Sequence, residues 1–395
     1  MISVDIDCLI LGGGITGLWL LNRLRQQGYS TLLLSDGALG GQQTLHSSGM
    51  IHGGLKYGLA ALRPDEQLDD MPALWQHCLA GTGEIDLRAV KILAHEQHLW
   101  AEPSHRAQAA LYLAAHLING QVHKLPTTDY PPLFKNLAFH GDVYQLAYPV
   151  LDPASLIQVL SQPYADCLYD VPSHKVHIET NDKRATTAVF IHQGNTQIRI
   201  RPHTVLCAAG AGNTLLAQQL GIHQALTRLR PVHMVCIQHE RLPLFYGHCL
   251  GTHRKPRLSI TSHQNHGQTL WYVGGEQAEL GIERDEQRQI AALQQELKLL
   301  LPWQSLQGAR YKSLLIQRVY RHEHRVLSAT NAHIHWAHNN ALVWPTRLIL
   351  VPNAAHQVLS RLQQDATLPH QAQPARLPLP QPALGQPAWA TWFRH

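Results

Sequence analysis

The first part of the chain alternates apolar and polar runs in the order of a strand, a helix and a second strand. Residues 7–11 form a short apolar run, a glycine cluster follows, and residues 15–27 carry apolar side chains at helical spacing. After Gly28, residues 31–34 form another apolar run. This order and these lengths predict one parallel crossover unit, and therefore an open α/β sheet.

Helical spacing returns between residues 64 and 116, so a mainly helical segment is predicted there. Another helix is predicted after Asp152, which can cap it while Pro153 occupies its first turn. Residues 284–301 carry the pattern of an amphipathic helix with a leucine-rich face.

Strand patterns dominate the middle of the chain. Three strand-like runs and one buried run are predicted, at residues 175–179, 186–191, 197–201 and 204–209. Residues 226–272 then alternate apolar and polar positions over several short runs, which is typical of antiparallel strands. A mixed sheet is therefore expected beside the parallel one.

From residue 366 the chain becomes rich in proline and glutamine, and it ends in an aromatic cluster. This composition predicts an extended arm. The aromatic side chains Trp389, Trp392 and Phe393 could dock on the body of the protein or on a partner.

A length of 395 residues suggests two or three domains. Charged residues make up 15% of the chain and apolar residues 45%, which excludes disorder over most of its length. The surplus of 32 Lys and Arg over 27 Asp and Glu gives a net charge of +5, which permits an anionic ligand without demanding a nucleic acid. The 28 histidines are too scattered to indicate a metal site, so none is predicted.

The cysteine pattern and the N-terminus indicate where the protein resides. The six cysteines form no CxxC pair, which favours a reducing compartment. The N-terminus lacks the pattern of a secretory signal, and no apolar run approaches the roughly 20 residues that span a bilayer. We expect a cytoplasmic protein, at most peripheral to the inner face of a membrane.

A glycine-rich G-x-G-x-x-G motif lies between the first strand and the first helix. Gly12 permits a tight turn, Gly14 lets backbone amides approach a pyrophosphate, and Gly17 lets helix and strand pack closely. The helix N-terminus, at Ile15 and Thr16, then stabilises the phosphate charge. Dinucleotide binding is predicted, with a merely structural glycine turn as the alternative.

An acidic residue that binds the ribose usually follows about 20 positions on. Here Ser35 stands at the expected position and Asp36 comes one residue later. Either Asp36 reaches the ribose from a shifted register, or Ser35 makes a weaker neutral contact. We assign the role to this pair.

Residues 40–57, Gly-Gly-Gln-Gln-Thr-Leu-His-Ser-Ser-Gly-Met-Ile-His-Gly-Gly-Leu-Lys-Tyr, follow the second strand. In this arrangement the chain resembles the FAD-dependent oxidoreductases of the D-amino-acid-oxidase (DAO) superfamily. The likeness is greatest to L-2-hydroxyglutarate oxidases and flavin-dependent glycerol-3-phosphate dehydrogenases. Three further stretches match the superfamily in order, at residues 148–156, 205–213 and 344–352. The resemblance covers about residues 3–362.

The resemblance implies an α/β fold in which two domains are interleaved. A Rossmann-like FAD-binding domain of the glutathione-reductase type would comprise residues 1–90, 145–222 and 325–365. A mixed-sheet α+β substrate domain would comprise residues 91–144 and 223–324, and residues 366–395 would form the tail.

FAD is the cofactor that the resemblance implies, and further residues would bind it beside the glycine motif. Hydroxyls and amides of the loop after the second strand would face the pyrophosphate and flavin, and the backbone of one strand residue would meet the adenine. The Ala-Ala-Gly segment would contact the cofactor, and the turn at residues 346–348 would face the pyrimidine end of the flavin. These residues are Thr44, Ser47, Ser48, Gly49, Val176, Ala209, Gly210, Thr346, Arg347 and Leu348.

Four residues are candidates for catalysis or substrate binding. The resemblance implies that His52 accepts the substrate hydroxyl proton, although it could equally hold the glycine turn. Lys56 stands where glycerol-3-phosphate dehydrogenases carry an arginine for phosphate, and Tyr57 could orient the substrate or simply pack. The resemblance implies an arginine for the substrate anion in the region of Arg318 and Arg321; we favour Arg318, against the alternative that both are exposed basic residues.

His46 stands in a Thr-x-His-x-x-Gly setting, in which some amine-oxidising relatives attach FAD covalently. We expect non-covalent FAD.

The expected reaction oxidises a CH–OH group of a small anionic substrate, a 2-hydroxy acid or polyol phosphate, by hydride transfer to the flavin. Oxygen or a quinone would reoxidise it. One alternative is an amine or amino-acid oxidase. A third possibility is a flavin-binding RNA-modifying protein or a subunit of a complex, with the tail contacting RNA or a protein; DNA binding is not expected.

Overall fold

The computed structural model describes residues 1–51, 66–104, 107–109, 111, 122–194, 196–222, 227–252, 255–321, 331–365 and 376–393. The fold combines α-helices and β-sheets. The helices are α1 (Ile15–Gln26), α2 (Gly41–Leu45), α3 (Glu66–Leu79), α4 (Pro153–Ser161), α5 (Asn213–Gln219), α6 (Glu276–Leu280), α7 (Glu286–Leu300) and α8 (Val351–Gln364).

The strands are β1 (Ile2–Leu11), β2 (Thr31–Ser35), β3 (Ile92–Ala94), β4 (Gln97–Ala101), β5 (Val122–Lys124), β6 (Val143–Leu146), β7 (Val150–Leu151), β8 (Leu168–Asp170), β9 (Val176–Thr180), β10 (Thr186–Gln193), β11 (Thr196–Cys207), β12 (Thr227–Gln238), β13 (Gly247–Leu250), β14 (Pro256–Asn265), β15 (Gln268–Gly274), β16 (Arg310–Arg321), β17 (His333–Ala337) and β18 (Asn340–Trp344).

The first sheet has the order β17-β18-β11-β1-β2-β8, and the hairpin of β9 and β10 extends it from β11. β1 is parallel to both β2 and β11, and β18 is parallel to β11. The predicted strand, helix and strand at the N-terminus are thus confirmed as β1, α1 and β2. β1 begins earlier than its apolar run because its outer half pairs with β11, from Ile2 opposite Ile198.

The second sheet has the order β16-β12-β15-β14-β13-β4-β6-β5. Its central pairs are antiparallel, as the alternating pattern predicted. One face packs on α7, where Leu293 and Leu297 meet Val235 and Trp271. Even-numbered residues of β12, β15 and β16 form the opposite face, because side chains alternate along a strand.

The prediction of a helical segment is correct for α3 and wrong for residues 92–101, which form β3 and β4. β4 lies between β13 and β6 in the second sheet and buries Leu99 and Trp100. Pairing on both sides therefore outweighs the local helical preference. The boundaries of the two domains stay a prediction.

The C-terminal segment is docked on the protein, and we call residues 376–393 the strap. Leu39 donates a backbone hydrogen bond to Ala383 over 2.9 Å, and Gly385 donates one to Leu39 over 3.0 Å. Further along, Trp389 is only 4% exposed in a cluster with Met234 and Tyr272. Truncation of a buried aromatic side chain of this kind costs about 3–5 kcal/mol of folding free energy.

All six cysteines lie in the described part of the chain, where each is buried and unpaired. No helix among the described residues is long and apolar enough to cross a membrane.

A partly buried carboxylate, that of Glu84, ties α1 to α8. Glu84 accepts hydrogen bonds from the indole of Trp19 over 2.9 Å and from His356 over 2.6 Å, and the Arg23 guanidinium lies 3.3 Å away. Burial alone would raise the pKa of Glu84. The hydrogen bonds from His356 and Trp19 and the charge of Arg23 outweigh burial and lower the pKa.

We expect Glu84→Gln to lower the free energy of unfolding by about 1.5–3 kcal/mol at pH 7, the range for hydrogen bonds to a charged group. Because the folded-state pKa is depressed, the charged form stabilises the fold above the pKa of the unfolded chain, and this contribution disappears as the pH falls. Urea titrations at pH 7 and in acid measure both effects. The exposed Glu283→Gln is the control, and equal losses in the two variants would contradict the assignment.

Candidate functional site

Four parallel strands of the first sheet end at the same edge. β1 ends at Leu11, β2 at Ser35, β11 at Cys207 and β18 at Trp344, and the pairing places Leu11 opposite both Leu34 and Cys207. Ligands of open α/β sheets bind outside the carboxyl ends of such strands. Most of the predicted cofactor residues follow directly after these four ends.

The glycine motif is required by close backbone contacts. Gly12 has φ +126°, and an added Cβ would lie 2.6 Å from the carbonyl carbon and oxygen of Ala208. A Cβ on Gly17 would collide with the carbonyl oxygen of Gly12. The motif therefore brings the start of α1 against both β1 and the turn after β11, which carries Ala209.

The N-terminus of α1 is suited to an anion. Gly14 is its N-cap, no side chain caps it, and its first turn contains no acidic residue. The Ile15 amide donates to the hydroxyl of Thr44 over 3.3 Å, which brings the loop after β2 to the glycine motif. The other amides of a first turn and the helix dipole stabilise phosphate oxygens, so these residues fit the pyrophosphate of a dinucleotide.

The two ribose candidates differ in environment. Ser35 is buried directly beneath Gly13, where a Cβ on the glycine would collide with its hydroxyl. Asp36 is exposed just beyond the end of β2. The division of the ribose role between them stays a prediction.

The loop that follows α2 is fixed on both sides. Gly49 accepts a backbone hydrogen bond from Leu151 over 2.9 Å, and Gln97 donates to the carbonyl oxygen of Ile51 over 3.0 Å. Within the loop, Ser47 donates its amide to Thr44, while its hydroxyl is buried without a hydrogen-bond partner among the described residues. An oriented but unpaired hydroxyl is the kind of group that a polar cofactor satisfies.

The predicted turn after β18 carries backbone strain. Thr346 has φ +60°, which is unusual for a β-branched residue, and its hydroxyl donates to Pro345 over 2.7 Å. Arg347 and Leu348 follow at the start of a 3₁₀ turn. Strained backbone of this kind occurs preferentially at ligand sites. Val176, by contrast, opens β9 in the hairpin beside β11.

Arg318 lies on the face of the second sheet that carries Met234 and Tyr272. Its guanidinium donates to the Met234 sulfur over 3.8 Å. The strand β16 approaches α2 and the turn that contains Gly210. Among the described residues, no carboxylate lies within ion-pair distance of Arg318.

His46 stands between the two sheets. The Tyr272 hydroxyl donates to its carbonyl oxygen over 2.9 Å, and the Ala388 amide of the strap donates to its Nε2 over 3.0 Å. The second bond makes Nε2 an acceptor. Of the other candidates, His52, Lys56 and Tyr57 lie outside the described residues. Among the residues that the structure describes, no group of His, Cys, Asp and Glu side chains could hold a metal ion.

Comparison with known proteins decides the family. The sequence model of the family "FAD dependent oxidoreductase", abbreviated DAO, matches residues 7–314. The chain belongs to the DAO family. A probable FAD-dependent oxidoreductase of Pseudomonas aeruginosa, PA4991, is 37% identical over 396 residues, which is 99% of each chain. The present protein is therefore an FAD-dependent oxidoreductase. The predictions of an FAD cofactor and of an α/β fold are confirmed.

Solved structures agree with the fold. The crystal structure of PA4991 has a TM-score of 0.83 with 35% identity and covers 99% of both chains. Iminodiacetate oxidase from Chelativorans sp. BNC1 has a TM-score of 0.64 at 16% identity, with 96% of this chain and all 100% of the other covered. Glycerol-3-phosphate dehydrogenase from Bacillus halodurans has a TM-score of 0.59 at 13% identity, with 92% and 65% covered. The likeness to that dehydrogenase is thus distant and extends only to the fold.

Sequence reasoning overlooked His263 and Tyr272 of the second sheet. Their rings lie 4.7 and 4.8 Å from Trp389 of the strap, between centroids. Only the alternation of β14 and β15 hinted at this face, because the contacts join residues far apart in the chain. Burial lowers the pKa of His263 to about 4, Asp152 opposes this shift, and Lys91 reinforces it.

We expect Gly12→Ala to lose FAD, because the new Cβ meets the Ala208 backbone and forces the motif open. The dissociation constant of FAD, measured by reconstitution of the apoprotein, should rise at least about tenfold, which equals 1.4 kcal/mol. Gly267→Ala is the matched control, since Gly267 also has positive φ but no atom lies within 4 Å of its added Cβ. Normal FAD affinity in Gly12→Ala would contradict this role.

His263 should make the folded state sensitive to mild acid. The unfolded chain takes up a proton near pH 6.5 that the folded chain refuses until about pH 4, so stability decreases as the pH falls through this window. The full effect is about 3 kcal/mol. Urea titrations at pH 7 and 4.5 should show a smaller loss in His263→Phe than in the wild type or in the exposed His192→Phe. An unchanged loss would refute the assignment.

Proposed function

We propose that this protein oxidises a small anionic substrate, a 2-hydroxy acid or a polyol phosphate, at the C–H bond beside its hydroxyl group. The observation that carries the proposal is Arg318, a half-buried cation without a carboxylate partner among the described residues. It lies on the strand that approaches the cofactor residues of the first sheet. A guanidinium in this position suits a carboxylate or a phosphate, which it can bind through two hydrogen bonds.

Bound FAD supplies the acceptor for the hydride of the substrate. The protein has to hold the anion, orient the C–H bond and accept the hydroxyl proton. We assign the first task to Arg318 and the proton to His52, in keeping with the resemblance to hydroxy-acid and glycerophosphate enzymes. Lys56 and Tyr57 are proposed to assist in binding the substrate.

A second candidate is the oxidation of an amine or amino acid. The surroundings of Arg318 favour this second reaction because, among the described residues, they offer no general base. Arg318 contacts Met234 and lies near Tyr272, and burial raises the pKa of the Tyr272 phenol. Neither side chain is a base at neutral pH. A neutral amine needs no strong base when it loses hydride, so this chemistry requires less of the described residues.

We propose that the FAD is non-covalent and that oxygen or a quinone reoxidises it. The hydrogen bond from Ala388 to His46 Nε2 supports non-covalent binding, because Nε2 would have to give up this bond to attach to carbon. The buried, unpaired cysteines support a reducing, cytoplasmic location. We propose no RNA or protein partner for the tail, since Trp389 packs on its own chain.

Anaerobic reduction tests the proposal. The FAD-loaded protein is mixed with 2-hydroxy acids, polyol phosphates and amino acids, each beside its uncharged analogue, and the visible flavin absorbance is followed. Bleaching by hydroxy acids or polyol phosphates supports the first candidate, and bleaching by amino acids alone supports the second. Bleaching by uncharged analogues at the same concentrations would overturn the role of the anion.

We expect Arg318→Ala to raise the apparent KM for the bleaching substrate by about tenfold to a hundredfold, since a charge-assisted hydrogen bond contributes about 1.5–3 kcal/mol. Arg318→Lys should recover part of the loss. Arg230→Ala is the matched control, because Arg230 stands opposite Arg318 in the sheet but already pairs with Glu279 at 2.6 Å. Steady-state kinetics that show equal KM values in all three variants would remove Arg318 from the site.

A further inference from the structure

The strap joins the two sheets. Its first half is bound to the unit of the first sheet, where Leu377 donates its amide to the Tyr169 hydroxyl over 2.9 Å and Asp170 donates to Pro380 over 2.8 Å. The backbone pairing with Leu39 continues this attachment up to Gly385. These bonds run beside the turn between β2 and α2, which leads into residues 44–51, called the cofactor loop below.

The second half of the strap crosses to the second sheet. Trp389 lies between three rings, at centroid distances of 4.8 Å from Tyr272, 4.7 Å from His263 and 5.8 Å from His46. The Asn265 side chain donates to the carbonyl oxygen of Trp392 over 3.4 Å. The Trp389 indole thus contacts the cofactor loop through His46 and the second sheet through His263 and Tyr272.

We propose that the strap is a clamp that holds the cofactor loop, residues 44–51, against the second sheet, and that Trp389 is its positioning residue for FAD. The loop carries Ser47, whose hydroxyl is buried without a partner among the described residues, and it is joined to the second sheet through the bond from Tyr272 to His46. Trp389 packs on both partners of that bond. The inference rests on the FAD dependence of the family and is independent of the substrate.

Trp389 is distinguished from the other aromatic residues of the strap. It is 4% exposed, whereas Trp392 and Phe393 are only partly buried. Phe393 lies 6.4 Å from Trp392 and 5.4 Å from the guanidinium of Arg310, away from the loop. A merely structural tail would depend on all three aromatic side chains for stability, but only a clamp would make FAD affinity depend on Trp389.

FAD affinity and flavin environment test the clamp. The variants are Trp389→Ala, Trp389→Phe, Trp392→Ala and a truncation after Pro387. For each, the FAD dissociation constant of the apoprotein, the visible circular dichroism of bound flavin and the Tm of the apoprotein are measured. We expect Trp389→Ala and the truncation to weaken FAD binding at least about tenfold and to change the dichroism. Trp389→Phe and Trp392→Ala should stay within about threefold of the wild type.

Wild-type FAD affinity in Trp389→Ala or in the truncated chain would overturn the proposal. Equal losses of FAD affinity in Trp389→Ala and Trp392→Ala would overturn it as well.

The wild-type protein provides a second test that does not depend on any variant folding. Because coupling between two binding events is reciprocal, FAD that is held by the strap must also hold the strap in place. Limited chymotrypsin digestion should therefore cut at Trp389 at least about tenfold more slowly with saturating FAD than without it. Cutting at Leu137, which is 96% exposed on a distant loop, is the internal reference. An unchanged ratio of the two rates would overturn the proposal, whatever the substrate proves to be.

Discussion

The structure depends on the close approach of Gly12 to the backbone at Ala208. This contact requires a residue without a side chain and brings the end of β1, the start of α1 and the turn after β11 to one point. Thr44 reaches the same point through the Ile15 amide. The predicted cofactor site thus lies where the parallel strands end. A side chain added at Gly12 would displace the start of α1 and the turn after β11 together.

The second sheet adds a basic side chain to the amides and hydroxyls at the edge of the first sheet. The strand ends supply amides, hydroxyls and a helix N-terminus, which suit a dinucleotide, whereas we propose that Arg318 supplies a cation for the substrate. The two halves meet at His46, which accepts hydrogen bonds from Tyr272 and from the strap. These contacts join the loop after α2, the second sheet and the C-terminal strap at one residue.

The sequence was most informative where structure is local. The strand, helix and strand at the N-terminus, the glycine motif and the cap of α4 by Asp152 follow from neighbouring residues, and the order of the motifs pointed correctly to FAD. Residues 92–101 were predicted wrongly because their strands are stabilised by distant partners. β3 pairs with β7, and β4 pairs with β13, where Leu99 lies opposite His248, about 150 positions away.

The same limit explains the residues that were overlooked. Trp389 was recognised as an aromatic residue of the tail, but nothing near it in the sequence indicates contacts with His46, His263 and Tyr272. The resemblance to the superfamily indicated the region of Arg318, whereas its place beside Met234 is seen only in the folded sheet, where side chains alternate between faces. The different environments of Ser35 and Asp36 could not be predicted either, because the packing of Ser35 against Gly13 exists only in the folded chain.

Amide hydrogen exchange with and without FAD tests the central claim, that the segments after β1, β11 and β18 and the loop at residues 44–51 form one cofactor site. The account predicts that FAD slows exchange together in residues 12–17, 44–51, 208–213 and 346–350, while α7 on the far face of the second sheet is unaffected once global stabilisation is subtracted. Protection confined to one or two of these segments, or equal protection of α7, would contradict it.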